Sequence, residues 1–258
     1  MKALQGRFET AVTLATEAGA LAMQMRGAGT VTLKGPQDWV TEADGAVERF
    51  ISARLATAFP SDGFQGEEGG VARGGSLRWI VDPIDGTANY MRGSPRFCVS
   101  LACFEDRTPL IGVLVAPALG ETYVAHQGGG AMLNGRPIRA ADTTALDRCV
   151  VEVGWSRRRP NPDFLSLCEG ILAQGARLRL GGSGALGLAD VASGRLDAYV
   201  ELHINLWDVA AALVLLAESG AAVSPFLEGN GPTEGNPILA CAPDIAPALS
   251  GLTGFAAR

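Results

Sequence analysis

The stretch Trp79-Ile80-Val81-Asp82-Pro83-Ile84-Asp85-Gly86-Thr87-Ala88-Asn89 places two carboxylates three residues apart at the end of an apolar run. Pro83 bars the helical region at Asp82 and turns the chain. Asp82 and Asp85 can then point to one side. Gly86 and Thr87 follow, with backbone N–H groups at the start of a helical turn, a place that favours an anion. Hard oxygen ligands for a divalent cation therefore stand beside donors for a phosphate. An Asp-Gly pair alone is an ordinary turn; the whole eleven-residue string asks for more.

Other carboxylates fit the same chemistry. Glu67 and Glu68 lie in a glycine-flanked loop, Gly66-Glu67-Glu68-Gly69. Adjacent acids repel unless a cation or solvent lies between them. Asp208 follows Trp207 and opens the apolar run Val209-Ala210-Ala211-Ala212-Leu213, where a capping role would explain it equally well. Asp38, Thr41 and Asp44 precede a second helix, and Thr41 or Asp44 as a cap is the competing explanation. Two histidines, His126 and His203, are the whole histidine complement, and neither receives a role.

The elements that must position these groups read as follows. Apolar positions at helical spacing predict a helix over 6–26, stopped by Gly27 and Gly29. A loop spans 34–38. A second helix begins near Ala43 and ends before Pro60. Residues 61–76 are turn-rich, and 78–82 form a short buried strand, with a turn over 83–86. Strands are expected at 97–104, 110–115 and 121–126, which gives an α+β half over residues 1–140. Beyond it, strands at 149–153, 178–180, 197–201 and 238–241 alternate with helices at 163–173, 185–192, 208–218 and 245–252. The second half, 141–258, is therefore α/β and contributes Asp208.

The 258 residues suffice for a full core, and 47% of them are hydrophobic. Net charge is −6, which argues against nucleic acid as a partner, since phosphate backbones want a basic face. Five cysteines, Cys98, Cys103, Cys149, Cys168 and Cys241, form no Cys-x-x-Cys pair; free buried thiols are expected. Glu9 and Glu17 break every early apolar run, so no secretory signal is read, and no run approaches a membrane span. A cytoplasmic protein is expected.

The chain resembles the magnesium-dependent, lithium-sensitive inositol monophosphatase family. Asp82 to Tyr90 resembles its Asp-Pro-Ile/Leu-Asp-Gly-Thr-x-Asn-Phe signature, with Tyr90 in place of Phe. Trp207 to Ala212 resembles its Trp-Asp-x-Ala-Ala-Gly element, with Ala212 in place of Gly. Gly66-Glu67-Glu68 and Asp38-x-Val40-Thr41-x-x-Asp44 complete the set, in family order. Departures fall near the C-terminus: Ser219 and Ala221 around Gly220, Pro225 where an Asp is common, and the glycine-rich 227–237 loop. They put the packing of the last strand in question, but no metal ligand.

The resemblance implies a layered αβαβα sandwich, a homodimer and two or three Mg²⁺ ions. Glu67, Asp82 and the main-chain carbonyl of Ile84 would hold one ion; Asp82, Asp85 and Asp208 would hold another. Thr87, oriented by Asp44 and aided by Glu67, would position and deprotonate the attacking water. The Gly86 and Thr87 N–H groups would hold the phosphate. Asp85, Ser183, Gly184 and Glu201 would meet the leaving group. The implied substrate is a small polyol phosphate, inositol 1-phosphate first. Histidinol phosphate, fructose 1,6-bisphosphate and adenosine 3′,5′-bisphosphate are the alternatives within the family. An inactive ligand-binding relative is a reading of another class, and loss of a metal ligand would be its mark.

Overall fold

The computed structural model describes residues 2–28, 30–35 and 38–258. Pro36 and Gln37 of the expected loop, the expected helix stop Gly29, and the side chain of Asp38 lie outside the described residues. The chain opens with α1 (Lys2–Met25), then a hairpin of β1 (Val31–Gly35) and β2 (Asp38–Thr41). Helix α2 (Glu42–Ala58) follows directly. Its start is a capping box: Thr41 Oγ1 accepts from Asp44 N, and the Asp44 carboxylate accepts from Thr41 N.

A large sheet comes next. Its strands are β3 (Gly63–Gly66), β4 (Gly70–Arg73), β5 (Leu77–Asp85), β6 (Cys98–Glu105), β7 (Thr108–Ala116), β8 (Glu121–His126), β9 (Ala131–Leu133) and β10 (Arg136–Ile138). The spatial order is β10-β9-β8-β7-β6-β5-β3-β4, with only β3 and β5 parallel. One short helix, α3 (Thr87–Met91), leaves the end of β5.

The second part comprises β11 (Val150–Val153), α4 (Asn161–Ala173), β12 (Arg177–Arg179), α5 (Gly184–Ala192), β13 (Ala198–Ile204), α6 (Leu206–Ser219), β14 (Ala222–Val223), α7 (Gly231–Glu234), β15 (Asn236–Cys241) and α8 (Ala246–Thr253). Its five-stranded sheet has the order β12-β11-β13-β15-β14. Strand β11 is parallel to both neighbours, whereas β15 runs antiparallel between β13 and β14. The last strand is thus well seated despite the unusual 219–237 sequence.

Strand alternation sorts the core into layers. On β5, Trp79 and Val81 face α1 and α2, in a cluster with Leu14, Ala18, Val47 and Ile51. Ile80 faces the other way, toward α5 and α6. Tyr199, Ile238 and Ala240 of the small sheet cover those two helices from behind. The far face of that sheet, with Val151, Val200 and Leu239, packs on α4 and α8 through Leu167, Ile171 and Leu249. The result is the αβαβα sandwich, with α5 and α6 as the middle layer. The cysteines are free and, apart from the half-buried Cys168, buried.

Three local expectations need correction. The 61–76 segment is not only turns, because β3 and β4 pair there. The hairpin β1–β2 and the three-residue strands β9 and β10 are additional. Residues 83–85 belong to β5, whose pairing with β6 slips between Asp82 and Asp85, so the turn begins only at Gly86. Proline removes one ladder donor, and that irregularity is where it fits.

Candidate active site

Strand β5 delivers Asp82 and Asp85 at its C-terminal end, and α6 delivers Asp208 in its first turn. Carboxylate oxygens from all three lie within 4.8 Å of one another. The bulge at Pro83 makes this possible, since strict alternation would send residues three apart to opposite faces. Asp82 Oδ1 accepts from Ile84 N at 3.0 Å, an Asx-type turn that fixes the carboxyl. Asp208 Oδ2 accepts from Asn205 N at 2.9 Å, so it caps α6 and faces the other acids at once.

Asp85 is held from the opposite side. The Ser183 hydroxyl donates to Asp85 Oδ2, and Ala185 N donates to the same oxygen at 3.2 Å. Ser183 is also the N-cap of α5, accepting from Leu186 N. The Ser183 hydroxyl is therefore spent on orienting Asp85. Gly86, with φ +87°, is confined to the left-handed region; a Cβ there would come within 3.0 Å of Arg96 O. Asn89 of the signature donates to Arg96 O at 2.8 Å and to Gly181 O at 2.9 Å, so it ties the 181–184 loop to the end of β5. Tyr90, the departure from Phe, is buried and donates to Ala22 O of α1 at 2.8 Å.

Burial raises the carboxyls of Asp82 and Asp208, and burial followed by the Asp208 charge pushes Asp85 up to about 7. At Asp82 the next largest influence is Glu67, which stands within hydrogen-bonding reach. Crowded, buried carboxylates that repel in this way are what a divalent cation stabilises, and the all-oxygen donor set suits a hard cation. The residues present therefore fit a metal of the Mg²⁺ type.

Thr87 Oγ1 lies 3.0 Å from Ile84 O and 3.4 Å from Asp44 Oδ1. Asp44 also accepts from the Thr41 hydroxyl at 2.6 Å, and burial raises its pKa. Glu201 on β13 is buried, accepts from Tyr199 OH at 2.6 Å and is pushed up to about 8, mainly by burial. Glu67, Asp85, Gly86, Thr87, Ser183, Glu201 and Asp208 border one cavity of about 710 Å³, together with Trp39, Trp155, Arg157, Arg158, His203 and Trp207. His203 Nε2 contacts Glu234 O at 2.9 Å.

Several site residues escape a sequence reading. Glu48 of α2 accepts from Glu68 N at 2.9 Å and Gly69 N at 2.8 Å, and so holds the loop that carries Glu67. Glu48 follows Asp44 by one turn, the only hint that both face the site. Beneath the 181–184 loop, Arg96 bridges Glu152 and Asp190, each at 3.0 Å. Arg157 and Arg158, in the loop after β11, belong to no motif and line the cavity.

The family model for the inositol monophosphatase family matches residues 4–251. The chain belongs to that family. It is 40% identical over 224 residues to the inositol-1-monophosphatase of Rhizobium meliloti, covering 85% of this chain and 84% of that protein. It is 39% identical over 204 residues to the Nus factor SuhB of Xylella fastidiosa, with 78% and 74% covered. Among solved structures, the Thermotoga maritima IMPase superposes with a TM-score of 0.87 at 33% identity, covering 96% of this chain and 97% of that one.

Proposed function

We propose that the chain is a Mg²⁺-dependent phosphomonoesterase that hydrolyses a small polyol phosphate, inositol 1-phosphate first. The observation that carries this reading is the convergence of Asp82, Asp85 and Asp208 within 4.8 Å, beside the Thr87–Asp44 pair. Glu67, Asp82, the Ile84 carbonyl, Asp85 and Asp208 would hold two ions, with a third near Glu67. When bound, Mg²⁺ supplies Lewis-acid activation of water and neutralises charge on the phosphate oxygens.

The protein's own groups do the rest. Thr87 Oγ1 orients the attacking water and relays its proton toward Asp44, with Glu67 assisting. Gly86 and Thr87 N–H groups hold phosphate oxygens and take up charge as the ester bond breaks. The Ser183-Gly184 backbone and Glu201 bound the leaving-group side. Glu201 already accepts from Tyr199 OH, and its carboxyl at the cavity wall can meet a hydroxyl of the leaving group. A homodimer, a cytoplasmic location and a division of labour near residue 140 accompany the same reading.

The test is phosphate release in Mg²⁺ from inositol 1-phosphate, histidinol phosphate, fructose 1,6-bisphosphate and adenosine 3′,5′-bisphosphate. Inositol 1-phosphate is expected to give the highest kcat/KM. No release from any ester would overturn the phosphatase reading; a different order would overturn the substrate alone.

A further inference from the structure

Asp85 takes its orientation from the 181–185 segment. Ser183 Oγ and Ala185 N both donate to Asp85 Oδ2, which commits one carboxylate oxygen and fixes the direction of the other. Yet residues 181–184 are Gly-Gly-Ser-Gly, a backbone with little stiffness of its own. Its support is a cluster of four charges. Arg96, in the connection from α3 to β6, donates through Nη1 to Asp190 Oδ2 of α5 and through Nη2 to Glu152 Oε2 of β11, each at 3.0 Å. Arg179, at the end of β12, reaches the same two oxygens, with Nε 2.7 Å from Glu152 Oε2. A Cβ at Gly181 would come 2.3 Å from Glu152 Oε1 and 2.5 Å from Arg96 Nε. The main chain of the loop therefore lies directly on the Arg96–Glu152 pair.

The cluster sets two guanidiniums against two carboxylates, and the Glu152 and Asp190 side chains are only 2% and 7% exposed. Buried ion clusters gain little net stability over apolar packing of the same volume, because desolvation offsets the attraction. What a guanidinium fork does supply is direction. Here its two carboxylates belong to the middle layer and the small sheet. The main chain of Arg96 stands at the end of β5: its carbonyl accepts from Asn89 Nδ2 at 2.8 Å and lies 3.0 Å from where a Gly86 Cβ would be. One residue thus sets the loop that carries Ser183 against the strand end that carries Asp85. Its charge also lowers the Asp85 carboxyl, toward the ionised form that a cation needs.

We propose that Arg96 is a positioning residue for the cation site: its bridge to Glu152 and Asp190 keeps the 181–184 loop where Ser183 and Ala185 N fix Asp85 for metal binding. This rests on the reading of Asp82, Asp85 and Asp208 as Mg²⁺ ligands.

Mg²⁺ binding to the chelated protein, followed by calorimetry, is the direct readout, with the melting temperature beside it. Arg96→Gln should weaken Mg²⁺ binding by roughly 10-fold, the low end of the usual loss for a group that orients a metal ligand, because Arg96 acts one side chain further out. The Mg²⁺ concentration for half-maximal phosphate release should rise by the same factor, with kcat recovered at saturation. Arg96→Lys keeps the charge but cannot bridge both carboxylates, and should recover only part of the affinity. It also decides the matter if Arg96→Gln does not fold. Arg7→Gln breaks another buried ion pair, with Asp62 at 2.8 Å, and should lower Tm without changing Mg²⁺ affinity. In a Ser183→Ala background, Arg96→Gln should weaken binding much less than in the wild type, since the two groups act in series. Wild-type Mg²⁺ affinity in Arg96→Gln or Arg96→Lys, an equal loss in Arg7→Gln, or additive losses in the double variant would overturn the inference and leave the cation site standing. No Mg²⁺ binding by the wild-type protein would remove the cation site itself.

Discussion

Asp44 illustrates how one side chain answers to two demands. Its carboxylate caps α2 by accepting from Thr41 N, and its second oxygen reaches Thr87 Oγ1 at 3.4 Å. The cap and the approach to Thr87 come from the same group, so the capping and the proposed catalytic explanations are compatible. In the proposed mechanism Thr87 touches the attacking water, while Asp82 belongs to the carboxylate cluster that would hold the cation. Asp82→Asn should therefore abolish both Mg²⁺ binding and turnover. Thr87→Ala should keep Mg²⁺ binding, measured calorimetrically, and lower kcat, by a factor of ~10²–10⁴ typical of lost acid–base assistance. Equal loss of Mg²⁺ in both variants would remove the role given to Thr87. Glu201 borders the cavity and is proposed to meet the leaving group. Glu201→Ala should cost ~1.5–3 kcal/mol on inositol 1-phosphate, seen as kcat/KM, and much less on p-nitrophenyl phosphate, which has no hydroxyls to lose. Equal losses on both would mark Glu201 as a support of the fold.

At the scale of elements, α2 spaces the site. It carries Asp44 toward Thr87 and, one turn later, Glu48 under the loop of Glu67. Both Glu48 oxygens accept backbone N–H bonds, so Glu48→Ala strands two donors. The expected result is a loss of ~1–3 kcal/mol in stability and a several-fold higher Mg²⁺ requirement, with kcat recovered in part at saturating Mg²⁺. A titration of rate against Mg²⁺ checks this, and an unchanged requirement would leave Glu48 a purely structural group. The same element shows what a sequence can tell. The long helices and strands and the Asp82–Asp85 pair were legible because periodicity and compact motifs are local signals, whereas the joining of Asp208 to that pair, over a hundred residues away, was implied only by the family resemblance. Glu48 was not legible, because its partners are main-chain groups of Glu68 and Gly69, which no side-chain pattern announces. Strands β9 and β10, with three residues each, are too short to show alternation. The commitment of the Ser183 hydroxyl to Asp85, across almost a hundred residues of chain, was not legible either, because it is a tertiary fact with no local signature.

At the scale of the molecule, the carboxylate cluster proposed to hold the cation spans the layers. Asp82 and Asp85 come from the large sheet and Asp208 from α6 in the middle layer, so a bound ion ties the two. Without it, buried acids repel across that junction. Their pKa values are raised above the unfolded range, Asp85 to about 7 and the nearby Glu201 to about 8. Between an unfolded pKa near ~4 and these values the folded state binds more protons than the unfolded state. Stability of the chelated protein should accordingly fall as pH rises from about 5 to 8, because ionising these groups costs more in the fold than in the open chain. Added Mg²⁺ should reverse the trend, since it binds the ionised cluster. At a hundredfold excess over Kd the gain is ~2.7 kcal/mol, or roughly 5–10 °C in Tm for a chain of this size. The increment should be larger at pH 8 than at pH 5, where protons compete for the same oxygens. Melting curves at both pH values, with EDTA and with Mg²⁺, give the four numbers required. A Tm indifferent to chelation at pH 8 would mean that the three carboxylates do not hold a cation, whatever their geometry.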